Sequence, residues 1–286
     1  MDRPLPCRLD KFLRDAIGAS RADVTRLLAE GRVAIQAEGA TTHPADPSTL
    51  VFPDDLVTVD GRPVTATPGT LVAALHKPLG VVSTTHDPLG HPTLAPWLEP
   101  LGPRAFAVGR LDADTSGLLL LTDDGDLAYM LLRPHHHVDK TYHLQVVGPV
   151  AEDDPRLLLL RDGVMLHGGP ARARALDVIE SGPHVSLIAL AIDEGRRHQV
   201  RHMARVAGFD LLALERVRVG PIALGPLPVG ALRVLAPAEY DALWHAVGGR
   251  DVVRQAQRDA LHARVASAAA TGHPHARLAR WLAETP

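Results

Sequence analysis

The chain has 286 residues, a length that suggests about two domains, with 46% apolar and 22% charged residues and a net charge of −3. That balance excludes a disordered chain, and a single cysteine, Cys7, excludes a disulfide framework or a multi-cysteine zinc site. With only 3 Trp, 3 Tyr and 4 Phe the protein has no broad aromatic platform for stacking bases, and no apolar run or leader core points to a membrane or to export, so a soluble cytoplasmic protein is expected.

Residues 1–66 read as a small unit. Leu9, Phe12, Leu13 and Ile17 recur at helical spacing and Gly18 ends the run. Ser20 is placed to cap a second helix carrying Val24, Leu27 and Leu28, with Asp23 completing a capping box and Gly31 as the stop. Strands are expected over 32–35 and 56–59, the latter followed by a turn at Asp60-Gly61. Arg8, Lys11, Arg14, Arg21, Arg26 and Arg32 cluster around the two helices; the pattern fits a docking face for a polyanion and an ordinary solvated face equally well.

A breaker-rich linker at 65–70 leads into residues 71–245, where strands and helices alternate. Strands are predicted over 71–75, over 117–122 as a run buried on both faces, over the alternating stretch 140–147, and over 187–192. Asp123-Asp124-Gly125 turns into a helix over 126–133 that Pro134 ends, and a second helix runs from about Gln199 to Ala207. Residues 246–286 are Ala-rich with scattered Arg and His, and read as a separate helical extension fraying towards Pro286.

No nucleotide loop, zinc-protease helix or serine-hydrolase elbow is present. His135-His136-His137 invites a metal reading, but neighbouring residues of an extended loop diverge, and a polar loop with no metal is expected. More informative is 108–117, which sets an acidic loop holding Asp112 and Asp114 against the buried run at 118–121. A carboxylate held there needs a counter-charge, and residues 196–205 hold four arginines and no acid. Arg197, Arg201 and Arg205 are spaced to share one helix face opposite Val200, Met203 and Ala204. The residues alone fit two readings: an ionised Asp beside a phosphate-binding face, or a structural ion pair beside a solvated helix.

Three stretches in order resolve this by resemblance. Gly109-Arg110-Leu111-Asp112 with Thr115-Ser116-Gly117-Leu118-Leu119-Leu120-Leu121-Thr122, Lys140-Thr141-Tyr142, and Glu194-Gly195-Arg196 with His198-Gln199-Val200-Arg201 are similar to the three motifs of the RsuA family of bacterial ribosomal-RNA pseudouridine synthases. Leu75-His76-Lys77-Pro78 resembles the strand that opens that family's catalytic domain, and residues 8–33 resemble its alpha-L RNA-binding domain. The match departs at His76, where the family has Asn, at His202, and at Gln36-Ala37-Glu38-Gly39, which replaces an Asn-Gly turn.

The resemblance implies an α+β protein: a small N-terminal RNA-binding domain (1–66), then a catalytic domain (71–245) on a mixed, mainly antiparallel sheet. It implies isomerisation of uridine to pseudouridine in ribosomal RNA or a precursor particle by a monomer, with no cofactor. Asp112 is the expected nucleophile, Arg201 its ion-pair partner, and Tyr142 the ring that stacks on uracil and moves the proton at carbon 5. Arg110 is expected to fill the gap left by the extruded nucleotide. Lys77, Lys140, Arg197 and Arg205 are expected RNA contacts beside Arg8, Lys11, Arg14, Arg21 and Arg26. Residues 87–93 look nearer to members acting on large-subunit RNA. Two rival readings are a catalytically silent assembly factor and an Asp-dependent glycosidic hydrolase; the retained Asp112, Tyr142 and Arg201 speak against the first, and the lack of an evident carboxylate pair against the second.

Overall fold

The computed structural model describes residues 4–67, 69–133, 136–270 and 276–284. The chain forms two compact units: the part up to Gly69 together with everything from Gly249 onward, and Thr70–Gly248.

In the first unit the helix Leu9–Ile17 forms because Leu9 and Leu13, one turn apart, are both fully buried. Gly18 closes it in the left-handed conformation, donating its N–H to the Arg14 carbonyl at 2.9 Å. Ser20 caps the helix Arg21–Ala29 in the expected box: Asp23 N–H donates to Ser20 Oγ at 3.2 Å, and the Asp23 carboxylate accepts from Ser20 N–H at 3.1 Å. These helices pack on an antiparallel sheet in the order Ala40–Thr42, Val33–Ala37, Leu56–Val59, Arg62–Val64. Its hairpins turn at Glu38-Gly39 and Asp60-Gly61, both residues of each pair having positive φ, as the twist of a two-residue hairpin demands. The Glu38-Gly39 turn therefore keeps the same geometry without asparagine.

From Gly249 onward the C-terminal stretch groups with the first unit rather than standing as the separate extension expected over 246–286. The helices Arg250–Ala270 and Ala276–Glu284 belong to the first unit. Leu278, Trp281 and Leu282, at helical spacing, bury with Leu261 against Phe52. Arg277 lies 4.0 Å over the Phe52 ring and donates to Asp55 Oδ1 at 2.5 Å. The apolar stripe and the buried carboxylate are far apart in sequence, so only folding reveals that they complete each other.

The second unit is built on a nine-stranded mixed sheet. Its main path runs Ala175–Ser181, Val185–Ile192, Lys140–Val147, Leu211–Val219, Ser116–Thr122, Val72–Lys77, Leu232–Val234. Neighbours along this path are antiparallel except Leu211–Val219 with Ser116–Thr122, which are parallel. The run Leu118–Leu121 is buried throughout because it lies mid-sheet. Asp124 caps the helix Gly125–Leu132 and accepts the Tyr240 hydroxyl at 2.7 Å. Among the described residues no helix is long and apolar enough to cross a membrane.

Candidate active site

The loop carrying Asp112 is clamped before it reaches the sheet. Ser83 Oγ accepts from Leu111 N–H at 3.0 Å and donates to the Leu111 carbonyl at 2.6 Å. Gly80 N–H donates to the Ala113 carbonyl at 2.7 Å, and Thr115 N–H returns to the Asp112 carbonyl at 3.0 Å. The strand then begins at the parallel junction, where Gly117 has φ 106 and a Cβ would lie 2.3 Å from the Arg216 carbonyl oxygen. Only glycine permits that approach. The sequence thus forces a rigid loop end, and Asp112 stands on it with its side chain 33% exposed.

Asp112 faces a cleft of about 490 Å³ lined also by Tyr142, Arg201, Arg110, Lys140 and Arg197, a size that accepts a small organic ligand. The three expected catalytic residues therefore line one cavity. Tyr142 is 9% exposed, held between two antiparallel neighbours of the strand Lys140–Val147. The expected ion pair between Asp112 and Arg201 is not formed. Arg201 Nε lies 3.1 Å from Asp114 Oδ2, out of line for a hydrogen bond, and its Nη2 donates to the Asp114 carbonyl and, at 3.3 Å, to Thr115 Oγ1. Arg201 thus grips the loop two residues beyond Asp112. The near neighbour of the Asp112 carboxylate is His198, whose Nδ1 is 3.7 Å from Oδ2 and whose ring stacks at 6.0 Å on His202. His198 takes a left-handed backbone (φ 53), so the helix starts only at Gln199 and Arg197 is off it, contrary to the shared face expected with Arg201 and Arg205.

The expected RNA contacts divide. Arg110 and Arg197 are exposed on the cleft, while Arg205 is exposed beyond it. Lys140 lies in the cleft, its ammonium donating to the Val138 carbonyl at 2.8 Å; burial, with Arg216 adding to it, pulls its pKa below the ordinary lysine range. Lys77 is no RNA contact. It is 0% exposed and donates to the Pro78 and Val81 carbonyls at 2.8 Å each, tying the turn beneath the Asp112 loop. Burial pulls its pKa down to about 8, opposed by Asp112 and Asp114. In the N-terminal unit Arg8 pairs with Asp10, Lys11 with Asp15 and Arg26 with Asp23, Arg14 lies 3.7 Å from Asp15, and Arg21 is exposed.

Arg216 was missed by the sequence reading. It is 5% exposed, on the floor of the cleft, and pairs in register with Tyr142. The available signal was its two-residue spacing from the buried Leu214. Of the histidine triplet, His135 lies outside the described residues and His137 contacts Asp193 at 2.7 Å. Among the described residues no three His, Cys, Asp or Glu side chains form a group that could hold a metal.

Known proteins resemble this chain in sequence and in fold. The RNA pseudouridylate synthase family matches residues 72–205. An uncharacterized RNA pseudouridine synthase of Mycobacterium tuberculosis is 37% identical over 250 residues, 86% of this chain and 96% of that protein. Ribosomal small subunit pseudouridine synthase A of Escherichia coli (strain K12) is 36% identical over 239 residues, 82% of this chain and 96% of its own. The protein of the same name from Yersinia pestis is 38% identical over 239 residues, covering 82% and 94%. A crystal structure of a pseudouridylate synthase superposes with a TM-score of 0.58 at 30% identity, covering 83% of this chain and 99% of that one. The chain belongs to the RNA pseudouridine synthases, and is an isomerase acting on RNA. The leaning towards large-subunit RNA drawn from residues 87–93 finds no support, since the relatives above that are named for a ribosomal subunit carry the small one.

Proposed function

We propose that this chain converts uridine to pseudouridine in small-subunit ribosomal RNA, with Asp112 as nucleophile. The observation that carries this is Asp112 itself: clamped by Ser83, Gly80 and Thr115 around its backbone, yet open to a cleft floored by the buried Tyr142. The names of the ribosomal relatives supply the substrate class.

The reaction moves no electrons to or from an outside partner. The Asp112 carboxylate bonds to sugar carbon 1′ as the C1′–N1 bond breaks, and that electron pair leaves on the base. The base turns, carbon 5 bonds to C1′ as Asp112 departs, the carbon 5 proton is lost and N1 gains one. Tyr142 packs beside the base and carries that proton. Arg201 holds Asp114 and Thr115 and so keeps Asp112 aimed. Arg110 and Arg197, exposed at the cleft, hold the RNA backbone, and the N-terminal unit adds docking contacts. The test is to incubate the purified chain with each ribosomal RNA and map pseudouridine. Modification of small-subunit RNA is expected; modification confined to large-subunit RNA overturns the substrate, and none in either overturns the activity.

A further inference from the structure

We infer that Arg216 is a catalytic contact to the departing uracil, its guanidinium donating to the base oxygens that gain negative charge as the C1′–N1 bond breaks. This rests on the isomerase reading above.

Arg216 is buried without the anionic partner that such a cation ordinarily requires. Its Nε donates to the Leu118 carbonyl at 2.8 Å, and among the described residues no carboxylate lies within ion-pair distance of it. A guanidinium has five N–H donors, so four are left for something the protein does not supply. The terminal nitrogens are not sealed in; they open into the cleft. Contrast Lys77, also buried, whose ammonium donates to two carbonyls. Burying an uncompensated cation is unfavourable, and an anion arriving from outside would answer that cost.

Position decides which anion. A backbone phosphate stays at the rim, where the exposed Arg110 and Arg197 stand. An extruded base enters the floor, and the floor holds Arg216 beside Tyr142, its register partner on the same face of the sheet. The close approach of Gly117 to the Arg216 backbone fixes the strand from which the guanidinium projects. Burial, and secondarily Arg216, lower the Lys140 pKa, which places both cations in one field. The chemistry follows. Neutral uracil accepts hydrogen bonds from the cation through its two carbonyl oxygens. Once the C1′–N1 pair resides on the base, those oxygens carry negative charge and each contact becomes an ion pair as well as a hydrogen bond. The contact strengthens from ground state to transition state, as catalysis requires. The donors also disfavour cytosine, which presents an amino group where uracil has its second oxygen.

The experiment compares the full chain with Arg216→Gln and Arg216→Lys in single-turnover pseudouridine formation on one ribosomal RNA fragment. Arg216→Gln is expected to lose about 10²-fold or more in rate, with RNA affinity within about twofold, and Arg216→Lys to recover part of that loss. The same RNA is then made with 5-fluorouridine at the target, following disappearance of the starting nucleoside. Fluorine makes the departing base less basic, so the loss in Arg216→Gln should shrink there; should that variant not fold, Arg216→Lys carries the same comparison. A rate within about threefold of the parent, or an equal loss on both RNAs, overturns the role of Arg216 while the active parent preserves the isomerase reading. A parent that forms no pseudouridine overturns both.

Discussion

In the N-terminal unit Arg8 pairs with Asp10 at 2.8 Å, Lys11 with Asp15 at 2.7 Å, Arg26 with Asp23 at 2.6 Å and Arg32 with Asp60 at 2.6 Å. Around the cleft of the second unit Arg110, Arg197 and Arg216 have no carboxylate within ion-pair distance among the described residues. Cations matched to nearby acids create little outward field and add little to stability when exposed. Cations left unmatched against a low-dielectric wall focus their field on whatever enters. The net charge of −3 hides this division, because the cleft's excess is cancelled elsewhere on the molecule.

The comparison can be broken or sharpened by mutation. Asp112→Asn removes a negative charge from the cleft without changing its shape. Pseudouridine formation should fall by at least ~10³-fold while RNA affinity holds; near-parental turnover would remove Asp112 from the chemistry. In the other unit the corresponding test is on stability. Arg277→Ala strands Asp55, whose side chain is 1% exposed, and should lower the stability of that unit by about 3 kcal/mol in denaturant melts, with the cleft chemistry unchanged at saturating RNA.

Arg201→Ala lies between these cases. Its partner Asp114 is 59% exposed, so the stability change should stay within about 1 kcal/mol. The loosened loop should nonetheless cost about 10²-fold in single-turnover rate. Equal losses in Asp112→Asn and in the double variant with Arg201→Ala would show that Arg201 acts through Asp112.

Lys77 supplies a pH test with a defined sign. Its folded-state pKa of about 8 lies below the ordinary 10.5, so between those values the unfolded chain binds more protons than the folded one. Stability should therefore rise with pH across that window relative to Lys77→Met, by about 1–3 kcal/mol, in paired melts at pH 8 and pH 10.5. A constant difference would mean that the ammonium is not penalised by burial. The smallest effect concerns salt. Arg110→Ala and Arg197→Ala should each lower the slope of log affinity against log salt by about 1. Arg8→Ala and Arg26→Ala should change it less, since Asp10 and Asp23 already hold those side chains.

Local order supplied much that could be read from the chain. Leu9 and Leu13 with Gly18, the Ser20–Asp23 box, the alternation of 140–147 and the run 118–121 all became the elements their periodicity implied, because each signal acts over one or two turns or along a single strand. The strand Leu211–Val219 was not foreseen, for its alternation is broken by Glu215, Arg216 and Arg218, charges that only a cleft and neighbouring strands make tolerable.

What the sequence by itself determined was the class of enzyme and the residues to suspect, since three motifs in order carry Asp112, Tyr142 and Arg201 and a folded chain brings all three to one cavity. Their partnerships were decided only by the tertiary structure. Whether Arg201 binds Asp112 or Asp114, whether Lys77 faces RNA or a buried turn, and whether the last helices stand apart or cover Phe52 depend on contacts between segments distant along the chain. Composition and spacing report the charge and the apolar area a segment must dispose of. Where it disposes of them is set by which strand or helix the fold lays against it.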